Sequence, residues 1–197
     1  MAHTAESLQA AFGYLFVEEV AELKRLAQLL PDNPIVVNIG AGSGTSGLAF
    51  MESRPDLQLI TIDVQREDSP FGCLSAEQKI LADAGLLDWG RYAQYCIDSK
   101  EAARMYNGLV DMVFVDGDHS YPGAKGDILG WLPNIKPGGI MAVHDYDKET
   151  VYKDGPIEGA PHPLPWPGVD MAVRDFLCSR FETVSHVKTL ITFRVTE

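Results

Sequence analysis

Ile35-Val-Val-Asn-Ile-Gly-Ala-Gly-Ser-Gly-Thr-Ser-Gly47 is an apolar run that breaks into glycines and then into a segment of helical character. Pro34 stops what precedes it, and the β-branched residues Ile35, Val36, Val37 and Ile39 suit a strand buried on both faces. Gly40, Gly42 and Gly44 then allow a tight turn along which backbone can approach a ligand closely. A helix from about Thr45 through Met51 would aim its free N–H groups and positive dipole end at that ligand. The stretch therefore reads as a nucleotide-binding loop. The dinucleotide fingerprint Gly-x-Gly-x-x-Gly would require glycine at position 45, where this chain has Thr45.

Outward from the loop, one or two amphipathic helices occupy residues 1–30, with Leu8, Phe12, Val20, Leu23 and Leu26 close to helical period. Leu57 to Ile62 reads as a second strand ending at Asp63, near the ~20-residue offset at which a carboxylate meets a ribose diol in doubly wound folds. A helix is expected from Ser75, as N-cap, to Leu87, with Gly85 ending or interrupting it. A third strand, Tyr92 to Ile97, precedes Asp98, which suits the N-cap of a helix over Ser99 to Tyr106. Val110 to Val115 forms a fourth strand running into Asp116-Gly-Asp118-His119, and a helix follows around Ala124 to Trp131. Leu132 to Gly139 makes a turn, and a fifth strand, Ile140 to Val143, ends in His144-Asp145-Tyr146. Ligands of open parallel sheets bind beyond the carboxyl ends of the strands, so two polar clusters there mark a site. Residues 147–168 hold five prolines with His162 and Trp166, a loop long enough to serve as a lid. A helix over Val169 to Leu177 and an antiparallel pair, Phe181 to Val187 and Leu190 to Val195, close the chain.

The 197 residues, 46% hydrophobic, fit a single domain over 1–197. A net charge of −12 without a basic cluster argues against nucleic-acid phosphates as partner. Cys73, Cys96 and Cys178 match no zinc or redox spacing and read as small apolar residues in a reducing, cytoplasmic setting. No signal-peptide pattern or membrane-length apolar run is present, so no membrane partner is expected.

The glycine loop, Asp63, Asp116-Gly-Asp-His119, the Lys136-Pro-Gly-Gly turn, His144-Asp-Tyr146 and the terminal strand pair together resemble class I S-adenosylmethionine-dependent methyltransferases. Asp116-Gly-Asp-His and His144-Asp-Tyr resemble more narrowly the small O-methyltransferases grouped with macrocin-type sugar methyltransferases and cephalosporin-hydroxylase-like proteins. The resemblance implies an α/β, Rossmann-like, doubly wound seven-stranded sheet, mostly parallel with an antiparallel last strand. It implies S-adenosylmethionine held by Asn38, Gly40, Gly42, Gly44, Thr45, Asp63, Asp98 and Asp116, with Asp98 near the adenine as an alternative or addition to capping. Asn38 stands where the class often has an acidic residue. Asp116 and Asp145 match two of the magnesium ligands of metal-dependent sugar methyltransferases, while His144 stands at the third. Magnesium prefers oxygen, so the set points to Mg²⁺ at lower odds, to Mn²⁺, or to no metal. The expected activity is methylation of a hydroxyl on a small sugar or natural-product acceptor. Asp118 or His119 would be general base, and His162 and Trp166 would face the acceptor. Two rivals stand beside it: a catalytically silent S-adenosylmethionine-binding subunit or sensor, and a nicotinamide-linked oxidoreductase. The sequence leaves open whether the protein is a homo-oligomer.

Overall fold

The computed structural model describes residues 3–12, 14–64, 73–155 and 165–196. Two helices, α1 (Ala5–Phe12) and α2 (Val17–Leu29), precede β1 (Ile35–Ile39), and α3 (Thr45–Ser53) follows the glycine turn. Then come β2 (Gln58–Asp63), α4 (Cys73–Asp83), β3 (Tyr92–Cys96), α5 (Ser99–Met105), β4 (Val110–Val115) and α6 (Tyr121–Trp131). The chain ends with β5 (Ile135–Val143), α7 (Lys148–Val151), α8 (Pro167–Val173), β6 (Glu182–Val187) and β7 (Leu190–Arg194). Seven strands form one sheet in the order β3-β2-β1-β4-β5-β7-β6, parallel from β3 through β5 and antiparallel at β5–β7 and β7–β6. This is the mostly parallel, doubly wound architecture that the motifs implied.

Side chains alternate across each strand, so one β-branched run feeds two cores. Val36, Met112 and Phe114 pack with Leu8, Leu23 and Leu48 of α1, α2 and α3. Val37, Val113 and Val115 face the other way, against Ala103, Ile128 and Val173 of α5, α6 and α8. β1 pairs with β2 on one side and β4 on the other, which places the topological switch point at the end of β1. Beyond the strand ends the loops stay laced together. Gly40 N–H donates to Ile62 O (2.9 Å), Asp116 N–H to Ile39 O (2.9 Å) and His144 N–H to Val115 O (3.0 Å).

Several boundaries differ from the sequence reading. α4 begins at Cys73, upstream of Ser75, and stops at Asp83 because Gly85 takes a left-handed φ of +72°. β5 starts at Ile135, inside the expected turn, because a register shift opposite Val110/Met112 accommodates Pro137 and Gly138. The helix after the proline-rich segment ends at Val173 and passes into a π-turn over Arg174–Cys178. The segment 147–168 contains the short helix α7. Cys96 and Cys178 are exposed free thiols, not core residues. The side chain of Cys73, and His162 altogether, lie outside the described residues. Among the described residues no helix is long and apolar enough to cross a membrane.

Candidate active site

Gly40, Gly42 and Gly44 all have positive φ (+91°, +49° and +84°), and Gly44 caps α3 in the left-handed region. The loop is held from two sides. Asp63 Oδ2 accepts the Ala41 N–H (2.8 Å), so the residue expected on the ribose also braces the turn. Beneath it, Asn38 is fully buried, donates to Glu77 Oε1 (3.2 Å) and accepts from Ser46 Oγ (3.2 Å). Asn38 therefore supports the loop from below, and it is not among the residues lining the two cavities over the strand ends.

Two cavities open over the strand ends. The larger, about 710 Å³, is lined by Gly40, Gly42, Asp63, Asp98, Asp118 and Asp127, among others. The smaller, about 280 Å³, is walled by Tyr14, Leu15, Thr45, His144, Asp145 and Lys148. Asp116, His119, Trp166 and the first two glycines belong to both, so the cavities meet at the end of β4. Asp98 combines its two expected places. It lines the larger cavity, and its Oδ1 accepts from the N–H groups of Lys100 (2.9 Å) and Glu101 (3.3 Å) as the N-cap of α5. Asp118 is turned toward α6, where its Oδ1 accepts the Ser120 N–H (2.9 Å). That leaves His119 nearer the junction, stacked on Trp166 with ring centroids 4.6 Å apart.

At the junction, Asp116, His144 and Asp145 each offer one ligand atom, all within 4.8 Å of one another. His144 Nδ1 lies 3.2 Å from Asp116 Oδ1 and 3.4 Å from Asp145 Oδ1. Asp145 adopts φ +64°, a left-handed backbone rare for a non-glycine residue, and is buried. His119 Nε2 approaches Asp145 Oδ2 to 2.8 Å and Lys148 Nζ approaches Oδ1 to 2.7 Å. Even so, His119 Nε2 and Asp145 Oδ1 are buried without a well-aligned hydrogen-bond partner. Burial alone would lower the His119 pKa, but the neighbouring carboxylates of Asp116 and Asp145 push it up to about 9. Burial likewise opposes charge on His144, yet Asp116, Asp145 and Glu19 hold it well above its ordinary value. Burial would raise the Asp145 carboxyl, but His144, His119 and Lys148 hold it below the usual carboxylate range.

Four contributors escaped the sequence reading. Glu19 of α2 is fully buried and faces His144 Nε2 at 3.0 Å. It sits on the apolar stripe formed by Phe16, Val20 and Leu23, and an acid on a buried stripe was the available signal. Lys148, 3% exposed, was hidden in a segment read as loop. Tyr14 and Leu15, between α1 and α2, wall the smaller cavity from a part of the chain far from any motif.

A family model described as "Methyltransferase domain" matches residues 37–146, the span from β1 through the β5 cluster. The chain belongs to this methyltransferase family. With that, the nicotinamide reading falls away and the class I S-adenosylmethionine-dependent resemblance holds. The methyltransferase is 30% identical over 74 residues to the ribosomal RNA small subunit methyltransferase G of Acidothermus cellulolyticus. That match takes in 38% of this chain and 31% of the relative's length. Among solved structures, the fold is similar to cofactor-bound Rv0187 from MTB, with a TM-score of 0.70 and 16% identity over 98% of this chain and 88% of that one. It is also similar to the O-methyltransferase TomG of Streptomyces achromogenes, involved in tomaymycin synthesis and solved with SAM, with a TM-score of 0.63 and 22% identity over 93% and 82% of the two chains. At these identities the likeness is one of fold. The narrower likeness to macrocin-type enzymes stays with the motifs alone.

Proposed function

We propose that the protein transfers a methyl group from S-adenosylmethionine in the larger cavity to a hydroxyl of a small acceptor in the smaller one. The observation that carries this reading is the shared wall of Asp116, His119 and Trp166, where a donor methyl and an acceptor oxygen would meet. Asp63 would accept from the ribose hydroxyls and Asp98 would lie at the adenine end, with the glycine turn admitting the donor's chain. Methyl transfer is an in-line displacement: the carbon–sulfur bond breaks with its electron pair going to sulfur, the oxygen–carbon bond forms, and the hydroxyl proton leaves. His119 would take that proton at Nε2, and the Trp166 stack would hold its ring and exclude water.

Asp116, His144 and Asp145 fit a divalent cation. Their ligand atoms lie within 4.8 Å of one another, and Asp145 takes a left-handed φ beside them, with Lys148 Nζ 2.7 Å from its Oδ1 as the cation now paired there. A mixed oxygen and nitrogen set suits Mn²⁺ better than Mg²⁺. Such a cation, when bound, lowers the pKa of an acceptor hydroxyl. The chain's own part is to present the three ligands and to leave His119 beside them as base.

A small acceptor of sugar or natural-product type is supported by the 280 Å³ cavity and by the net charge of −12, which would repel a polyphosphate. The ribosomal RNA relative is matched over too little of its length to weigh against this. The free thiols Cys96 and Cys178 suit the cytoplasmic setting of this reading. Formation of S-adenosylhomocysteine across a panel of small hydroxylated acceptors, run beside an RNA substrate, tests the proposal. Turnover with RNA alone would overturn it, and donor binding without turnover on any acceptor would favour the silent-subunit reading.

A further inference from the structure

Glu19 enters the site from outside the strand ends. Its Oε1 accepts the Thr189 N–H (2.7 Å) and the Thr189 hydroxyl (2.7 Å), while its Oε2 accepts the Phe16 N–H (2.7 Å) and lies 3.0 Å from His144 Nε2. These partners come from the start of α2, from the end of β5 and from the β6–β7 turn. A helix-capping role accounts for the Phe16 contact alone. It leaves the contacts to His144 and Thr189 unexplained, and those are the ones that bring a fully buried carboxylate to the site.

Glu19 Oε2, which also accepts the Phe16 N–H, and the Thr189 hydroxyl oxygen (3.2 Å) both face His144 Nε2, an arrangement in which the ring N–H donates toward them. That fixes the ring face. Nδ1 is then turned toward Asp116 and Asp145 (3.2 and 3.4 Å). We propose that Glu19 is a positioning residue that sets the His144 ring so that Nδ1 faces the two carboxylates, and that ties the Tyr14–Phe16 segment to the end of β5. The second half follows from the same carboxylate bonding the Phe16 N–H, two residues after Tyr14 in the wall of the smaller cavity. Histidines that bind metals are oriented in this way by a carboxylate on the far nitrogen, and losing such a partner typically costs about 10–100-fold in metal affinity.

The test uses the full chain with ¹⁵N-labelled histidine, five in all, and needs no acceptor. The wild type is expected to show a downfield, slowly exchanging His144 Nε2–H resonance that is lost or moved upfield in Glu19→Gln, with donor affinity by calorimetry unchanged. Mn²⁺ affinity is expected to fall about 10–100-fold in the same variant. If Glu19→Gln fails to fold, Glu19→Asp keeps the charge in the first turn of α2 but shortens the reach, and the same loss of resonance is expected. The Mn²⁺ arm rests on the proposed cation site and the resonance does not. A wild type that binds no Mn²⁺ would retire the cation reading and leave the resonance to decide Glu19. A His144 resonance unaltered in both variants, or Mn²⁺ bound as tightly by Glu19→Gln as by the wild type, overturns the proposal.

Discussion

A β-carbon added at Gly40 would stand 2.1 Å from the Asp116 carbonyl oxygen, at a φ of +91°. Both the contact and the conformation exclude a side chain, because the β1 and β4 ends are laced by backbone hydrogen bonds at that point. Gly40→Ala is expected to lose at least about 1–3 kcal/mol of stability from left-handed strain alone, and to weaken donor binding with it. Denaturant unfolding and donor calorimetry check this together. Asp63→Ala removes a carboxylate that braces Ala41 and lines the larger cavity, and on the proposed function should cost about 1–3 kcal/mol of donor affinity. Unchanged calorimetry would remove Asp63 from the site. Both residues were legible in the sequence because their roles follow from strand ends and spacing. Glu77 was not. It reaches under the glycine loop from α4, and nothing local in a sequence states which helix face meets which loop. Fully buried, it bonds Asn38 and accepts from the Tyr92 hydroxyl (2.6 Å), supplying a carboxylate close to the position where the class often carries an acid before the first glycine. A β-carbon at Gly47 would collide with it. Burial, though countered by those hydrogen bonds, raises its pKa from 4.5 to about 7. The folded state thus holds a proton that the unfolded state releases, and this contribution to stability is whole below pH 4.5 and is lost as pH rises through about 7. The span corresponds to roughly 3 kcal/mol. Glu77→Gln should flatten that dependence, so unfolding free energies at pH 5 and pH 8 ought to differ less in the variant than in the wild type.

At the level of elements, the end of the 147–168 segment is fastened where the cavities meet. A β-carbon at Gly168, in the first turn of α8, would lie 2.6 Å from His119 O and 2.4 Å from Tyr121 N, so α8 starts in direct contact with the β4–α6 loop. That seats Trp166 on His119. If the segment acts as a lid, Trp166→Ala should raise the acceptor KM or lower kcat by more than it weakens donor binding, although Trp166 borders both cavities. Steady-state kinetics beside donor calorimetry would separate these effects, and kinetics unchanged for every acceptor would end the lid reading. The tryptophan was legible as an apolar residue in a loop too long for a simple connection. Its partner was not, since a ring stack joining residues 119 and 166 depends on how α8 lies against α6. The edge of β5 shows the same limit: Pro137 and Gly138 signal a turn locally, while pairing with β4 and β7 carries the strand through them.

Across the whole molecule, near-continuous apolar runs such as β1 and β4 and a glycine turn at the switch point suffice to state the centre of the sheet, because those strands bury both faces. The charge balance of the site is a property of the assembled fold. Asp116, Asp145 and Glu19 meet His144, His119 and Lys148, brought together from α2, β4, β5 and α7. With no cation bound, His119 is held protonated by the two aspartates up to about pH 9 and cannot accept a proton near neutrality. A divalent cation on Asp116 and Asp145 would neutralise the charges that raise the His119 pKa, so the base would become available at lower pH. EDTA-treated enzyme should therefore show a rate that climbs with pH toward 9, and Mn²⁺ should both restore activity and move the rising limb to lower pH, with Mg²⁺ less effective. Asp145→Asn should lose most of the Mn²⁺ response. Identical pH–rate profiles before and after chelation, with Asp145→Asn no worse than a surface substitution, would leave His119 and the acceptor's own acidity as the sole source of the proton transfer.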